Sequence, residues 1–338
     1  QGARGVYIDQ ALNVVYPADV SQDGPLDVFM AHMDVVFSDE TELPLRVEDG
    51  RIYCPGVGDD TACLVCLLLA GRYIARHVDS PSWREIRGED APGLLLVCNA
   101  GEEGLGNLKG VRKICEDYGG RIKSFCTFDS SLSSIVDRAV GSKRFRVKVR
   151  TRGGHSYNDF GNDNAIAGLA SLVGKLYKIQ VPEGGKTTYN VGMISGGTSV
   201  NTIAQEAEML YEFRSDKREN LEYMERQFME VLDRAKAEGM DVSFQVIGVR
   251  PCEGQVDPAQ KQALTDWAHR VVEEMTGQVP KHHAGSTDCN IPLSLGIPSV
   301  CVGSFRGAGA HTREEYVETD SLEEGYKVAF GMIFGRRD

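Results

Sequence analysis

Residues 26–36 read LDVFMAHMDVV. Apart from Asp27, the run is apolar up to His32 and does not alternate with polar positions. It therefore reads as a central strand covered on both faces, with its polar residues gathered at the C-terminal end. Two further runs repeat the pattern: GLLLVCNA at 93–100 stops at Gly101-Glu102-Glu103-Gly104, and SFCTFDSS at 124–131 stops at Asp129. Between the first two lies DDTACLVCLLLAGRYIA, whose apolar length predicts a buried helix over about 61–76. Three apolar strands that end in histidine or carboxylates are how an open α/β sheet presents a site at its carboxyl edge.

Outside this frame the pattern changes. Over 141–250 the expected order is strand RFRVKVRT, helix NAIAGLASLVGKLYKI, strands TTYNVGMI and AEMLYEFRS, helix ENLEYMERQFMEVLDRAKA and strand VSFQVIGV. The first helix carries Ile166, Leu169, Leu172, Val173, Leu176 and Ile179 on one stripe, and the second Leu221, Met224, Phe228, Val231, Leu232 and Ala235. This β-α-β-β-α-β order is the split, ferredoxin-like arrangement, a self-contained α+β unit. The expectation is thus a discontinuous α/β domain, 1–140 plus 251–338, with residues 141–250 inserted as a second domain. Length agrees, since 338 residues suit two domains of ordinary size.

The charge balance excludes some partners. With 37 Lys and Arg against 49 Asp and Glu, the net charge is −12 and no basic run interrupts it, so neither nucleic acid nor an anionic membrane is an expected partner. The longest apolar runs, such as Leu64–Leu69, are far short of a membrane span. The nine cysteines are scattered among apolar residues in an odd number. Together with the absence of a secretory-type start, this predicts a reducing, cytoplasmic setting. Cys63-x-x-Cys66 reads as helix core, because no second pair completes a zinc knuckle.

Several polar residues invite a chemical reading, each beside a plain one. An aspartate two residues after a histidine shares its face in a strand, so Asp34 can hold the His32 imidazole; a chance His-x-Asp on a loop is the plain alternative. Gly56-Val57-Gly58-Asp59-Asp60-Thr61 lacks the third glycine of a dinucleotide loop and the lysine of a P-loop. Its aspartates could cap a helix, or Asp59 could give one oxygen to each of two metals. At Glu102-Glu103, adjacent side chains diverge, so one carboxylate can bind a metal while the other faces a water; a solvated turn is the alternative. Asp129 suits an Asx turn as well as a ligand, and His311, in the Gly-rich GAGAHTREEY, suits a surface loop as well as a site. Taken together, His32, Asp59, Glu103, Asp129 and His311 close a count. With Asp59 shared, each of two zinc ions receives three protein ligands and a common water or hydroxide supplies the fourth.

The same motifs carry a resemblance. HMDVV, GVGDDTA, NAGEEG, FDSS, RGGHS, GGTSVNTIA followed by YEFRS, and GIPSVCVGSFRGAGAHTREEYV are similar, in order and spacing, to the co-catalytic di-zinc metallopeptidases. That family includes peptidase T, bacterial dipeptidases, carnosinase, glutamate carboxypeptidases, aminoacylases and succinyl-diaminopimelate desuccinylase, and the likeness is nearest to peptidase T-like members. It implies a phosphorylase/hydrolase-like catalytic domain with residues 141–250 as a lid through which many members form a homodimer. It further implies His32, Asp59 and Asp129 on one zinc and Asp59, Glu103 and His311 on the other, with Co2+ or Mn2+ as alternative metals. Asp34 would orient His32, Glu102 would be the general base, His155 would steady the oxyanion, often from the partner subunit, and Asn201 and Arg214 would hold substrate. The family usually has some tens of helical residues before the stretch matching GVYIDQALNVVYP, so a truncated N-terminus is expected here. Thr61-Ala62 stands where relatives commonly have Lys-Gly.

The implied activity is hydrolysis of the amide bond of short peptides, of aminopeptidase or dipeptidase type. Aspartate at the position of Asp129 is common in those branches, and glutamate in the carboxypeptidase and acylase branches. The alternatives are a deacylase or carboxypeptidase acting on N-acyl amino acids, and a catalytically silent homologue, which retention of all five ligand types and Glu102 disfavours. Serine chemistry and single-zinc HExxH chemistry have no motif here.

Overall fold

The computed structural model describes residues 2–37 and 41–335; Gln1 and residues 336–338, the ends of the expected first domain, lie outside the described residues. The chain divides into two units, Gln1–Ala139 with Glu253–Asp338, and Val140–Cys252.

The larger unit is built on an eight-stranded mixed sheet. Its strand order is Tyr7–Ile8, Val14–Ala18, Gly93–Asn99, Leu26–His32, Ile122–Phe128, Ser299–Val302, Ser134–Ala139 and Lys281–Gly285. The four strands from Gly93–Asn99 to Ser299–Val302 are mutually parallel. Leu26–His32 lies among them with every residue buried, as an apolar run without alternation requires. Its side chains divide between two cores. Phe29 and Ala31 join Leu94, Leu96, Cys126 and Phe128 under the helix Cys63–His77; Val28 and Met30 join Leu95, Val97 and Phe125 under the helix Lys109–Tyr118. A register slip of one residue would exchange the two sets, so both faces specify the same pairing. Asp27, the one acid in the strand, is buried and accepts a hydrogen bond from the Ser124 hydroxyl at 2.5 Å.

This topology places the site. The chain leaves Leu26–His32 for a helix on one face and leaves its neighbour Gly93–Asn99 for a helix on the other. The carboxyl ends of these two adjacent strands are therefore a topological switch point, where open α/β sheets bind their ligands.

The smaller unit is a four-stranded antiparallel sheet in the order Thr187–Gly196, Glu206–Ser215, Gly141–Arg150, Asp241–Arg250. Numbered along the chain, the strands run 2-3-1-4, the ferredoxin-like order the sequence predicts. Helices Ala165–Leu176 and Arg218–Ala237 cover one face through Leu169, Leu172, Met224, Phe228 and Leu232, which pack on Phe145, Val147, Tyr211 and Phe213. The other face carries a ladder of ion pairs, including Arg144–Glu212, Arg146–Glu208 and Arg150–Glu206.

All nine cysteines are free, and no helix among the described residues is long and apolar enough to cross a membrane.

Candidate metal centre

Four loops at the carboxyl edge of the larger sheet bring the predicted ligands together. His32 is the last residue of its strand, and its ring is buried. Its Nδ1 donates to the backbone carbonyl of Asp34 at 2.9 Å, which leaves Nε2 facing Asp59 Oδ1 at 3.0 Å. The other Asp59 oxygen lies 3.0 Å from His311 Nε2, and that same nitrogen is 3.2 Å from Glu103 Oε1. Asp129 follows the strand Ile122–Phe128 directly, and its carboxylate converges with His32 and Asp59. His32–Asp59–Asp129 and Asp59–Glu103–His311 are thus two compact donor groups joined by one carboxylate.

The donor set fits two divalent cations. Two ligand atoms on one tetrahedral zinc, each about 2.0–2.1 Å from it, stand about 3.3 Å apart, close to the 3.0–3.2 Å separations found here. Charge argues the same way. Burial, reinforced by the Asp59 and Glu102 carboxylates, raises Glu103 to about 7, and burial with the neighbouring acids raises Asp129 to about 8. Burial works against a charged His32, yet the carboxylates around it, Asp60 and Asp59 foremost, hold its proton well above the usual range. Asp59 itself is lowered: burial opposes ionisation, but the two histidines prevail. A cluster that must retain protons to balance its carboxylates is short of positive charge, and cations would supply it.

The two aspartates of the Gly56–Thr61 stretch do not cap the following helix. Both have non-helical backbones, their shared peptide is cis, and the helix starts at Cys63, two residues later than the apolar pattern predicts. Asp59 is turned to the histidines, while Asp60 accepts the backbone N–H of His32 at 2.9 Å.

Asp34 differs from the expectation for it. Strand alternation would aim its carboxylate at the imidazole, but the strand ends at His32, so the side chain is free of that rule. The carboxylate, 3.9 Å from Nδ1, instead accepts the backbone N–H groups of Gly101, Glu102 and Glu103 at 2.8, 3.3 and 2.9 Å. Asp34 thus fixes the turn that carries Glu102 and Glu103, and its own backbone carbonyl orients His32. Glu102 is buried and lies with His32 and Glu103, and Glu103 reaches His311.

Sequence reasoning missed Glu315. Its carboxylate accepts N–H bonds from Gly56, Gly58 and Asp59 at 2.6, 2.9 and 2.8 Å. The glycine loop that resembles a phosphate cradle therefore does hold an anion, supplied by its own chain.

The remaining predicted residues lie in the smaller unit. His155 sits in a short ribbon paired with Thr202; its Nδ1 accepts the N–H of Tyr157 at 3.3 Å, so its Nε2 is left as the donor. Asn201 adjoins it, accepting the Ser156 N–H through its backbone carbonyl at 3.0 Å. Arg214 stands at the far end of the strand Glu206–Ser215, where Glu212 takes its Nε and one terminal nitrogen at 2.8 and 3.1 Å. The end-on pair of N–H groups on its two terminal nitrogens is left for another acceptor.

Comparison with known proteins follows the same lines. The model of peptidase family M20/M25/M40 matches residues 28–334. Among curated proteins, succinyl-diaminopimelate desuccinylase of Nitrosomonas eutropha is 24% identical over 323 residues, 89% of this chain and 80% of its own. Acetylornithine deacetylase of Myxococcus xanthus is 24% identical over 290 residues, 83% of this chain and 71% of its own. Among solved structures, a tripeptidase of Staphylococcus aureus has a TM-score of 0.73 at 22% identity, covering 97% of this chain and 87% of that one. The aminopeptidase PepT of Bacillus cereus has a TM-score of 0.69 at 22% identity, covering 98% and 88%.

Proposed function

This chain belongs to peptidase family M20/M25/M40, and from that membership we propose that it is a di-metal exopeptidase that hydrolyses the amide bond of short, unblocked peptides. The observation that carries the reading is Asp59, whose two oxygens face one histidine each at 3.0 Å. His32, Asp59 and Asp129 would hold one ion and Asp59, Glu103 and His311 the other, with zinc, cobalt or manganese suited to these ligands. The bound ions would supply an acidified water and an electrophile for the scissile carbonyl.

The rest falls to the side chains. Glu102, buried beside His32 and Glu103, takes a proton from the attacking water and returns it to the leaving amine, so that one water adds across the C–N bond. Asp34 keeps that carboxylate in place through the turn amides. His155, a donor through Nε2, would steady the developing oxyanion. Arg214, its plane set by Glu212, would offer its end-on pair of N–H groups to a substrate carboxylate or carbonyl.

A homodimer through the 141–250 lid is part of this proposal. His155 and Asn201 lie near the Glu206 end of a strand whose Arg214 is eight residues further on, roughly 26 Å at about 3.3 Å per residue. A tripeptide spans only about 10 Å. One substrate cannot touch both ends, so the two ends are proposed to serve different sites, with His155 acting on the partner's. The edge strand Thr187–Gly196, with Met193 and Ile194 exposed, is unpaired on its outer side among the described residues. Mixing His155→Ala subunits with Glu102→Gln subunits is expected to restore activity in the mixed dimers. Verified mixed dimers without activity would remove the trans assignment, and a monomer in solution would remove the dimer.

Two hydrolase readings compete. The desuccinylase and deacetylase relatives favour an N-acyl amino acid, whereas Asp129 and the fold neighbours favour peptides. Digestion of a library of di- and tripeptides beside N-acyl amino acids by metal-reconstituted protein separates them. Cleavage of free peptides is expected. Arg214→Lys should raise KM roughly tenfold, the loss of one charge-assisted hydrogen bond of about 1.5 kcal/mol, since an ammonium cannot reproduce the fork. Efficient deacylation with no action on free peptides would replace the peptidase reading by the deacylase one.

A further inference from the structure

Two loops carry the ligands of the donor group Asp59–Glu103–His311 that do not lie at the end of a central strand: Gly56–Asp59 and Gly309–His311. One side chain fastens them together. Glu315, four residues beyond His311, is only 2% exposed, and its carboxylate receives the N–H groups of Gly56, Gly58 and Asp59. Its backbone carbonyl accepts the Cys54 N–H at 3.1 Å, so the anchor at the start of the strand Tyr316–Glu318 is fixed at both its main chain and its side chain. Among the described residues it forms no ion pair; only backbone N–H groups compensate its charge.

The loop is shaped for this contact. A Cβ at position 58 would stand 2.6 Å from Phe305 and 3.0 Å from Glu315 Oε1, so glycine is what lets the carboxylate close on the loop. Gly56 is left-handed at φ 78°, which turns its N–H toward the same anion. The innermost of the three bonds ends on the amide of Asp59 itself, the residue shared by both donor groups. By contrast, the neighbouring Glu314 is 82% exposed.

We infer that Glu315 is a positioning residue of the metal centre: by clamping the amides of Gly56, Gly58 and Asp59, it sets Asp59 against its two histidines and ties that carboxylate to the His311 loop. The inference rests on the two-metal reading above. Partners of metal ligands typically change affinity or activity by about 10–100-fold. The effect should fall on metal binding and hence on kcat, with KM measured at saturating metal unchanged, because Glu315 touches no substrate. Glu315→Gln keeps the shape but sets an amide N–H₂ or a weaker oxygen against the three donors, and Glu315→Asp keeps the charge but shortens the reach.

Both variants of the full chain are tested by zinc titration against a chromophoric chelator, with kcat, KM and Tm on the same samples. Asp27→Asn, a buried carboxylate bonded to Ser124 at the opposite end of the sheet, controls for general loss of stability. The wild type should take two equivalents. Either Glu315 variant should bind at least the second about 10–100-fold more weakly, with kcat recovering as free zinc is raised, while Asp27→Asn lowers Tm without moving metal affinity. If Glu315→Gln does not fold, Glu315→Asp decides. A folded variant that binds both equivalents with wild-type affinity overturns the positioning role and leaves the two-metal reading standing. A wild type that takes fewer than two equivalents overturns the two-metal reading itself, and this inference with it.

Discussion

Glu102→Gln should lower kcat by at least about 10²–10⁴-fold, the usual worth of a general acid–base group, and by more if the loss of both proton transfers compounds. Two metal equivalents should remain bound in that variant. The basis is the difference between two consecutive glutamates held in one turn by the Asp34 carboxylate. Glu103 faces His311 at 3.2 Å and completes a donor group with Asp59, whereas Glu102 is buried and groups with His32 and Glu103. An amide at position 102 is nearly isosteric and leaves the donors alone, but it cannot accept a proton at neutral pH. Metal analysis and kinetics on one sample decide the matter. Loss of metal together with activity would mean that the roles of Glu102 and Glu103 are exchanged.

Chelation should abolish turnover, and it should also lower Tm by an amount that grows as pH rises from about 5 to about 8. The sign follows from the cluster. In the metal-free fold Glu103 stands at about 7 and Asp129 at about 8, against 4.5 and 3.8 for the unperturbed groups. Below about pH 3 both states hold these protons, and the two sites do not bias folding. As pH rises, the unfolded chain releases them first, so it binds fewer protons than the fold. Stability therefore falls until the folded values are passed. His32, also raised, acts in the same direction, while lowered Asp59 contributes stability across the whole window. Bound cations replace the protons, remove the dependence and make metal affinity rise steeply over the same range. Scanning calorimetry of the apo and zinc-loaded protein between pH 5 and 8 tests this. An apo Tm that is flat or rising would contradict the raised carboxyl groups.

Much of the candidate site was legible because of where its residues stand. His32, Glu103 and Asp129 follow apolar runs at the ends of buried parallel strands, and such strands announce themselves by lacking alternation. Asp59 emerged only from counting ligands, since a pair of aspartates ahead of a helix equally suits a cap. The insertion was legible for a related reason: helix stripes such as Leu169, Leu172 and Leu176 are local periodicities, and they became one face of a core with Phe145 and Phe213.

Side-chain direction was not legible where the chain leaves regular structure. Alternation predicts direction only inside a strand, and Asp34 lies two residues beyond its end, so its carboxylate turned to the amides of the Glu102 turn. Asn201 and Arg214 are close neighbours in sequence, yet they lie toward opposite ends of the strand Glu206–Ser215.

The amino-acid sequence by itself determined the central strands, the helix stripes of the smaller unit and the candidate donor types, because periodicity and apolar runs are local and each residue's chemistry is its own. The tertiary structure decided which oxygen faces which partner. Glu314 and Glu315 are identical in type and adjacent, yet one is open to solvent and the other is buried against the Asp59 amide, 256 positions away in the chain. That choice depends on where two loops meet once the sheet has formed. No window of sequence around either glutamate contains the three N–H groups that make the difference.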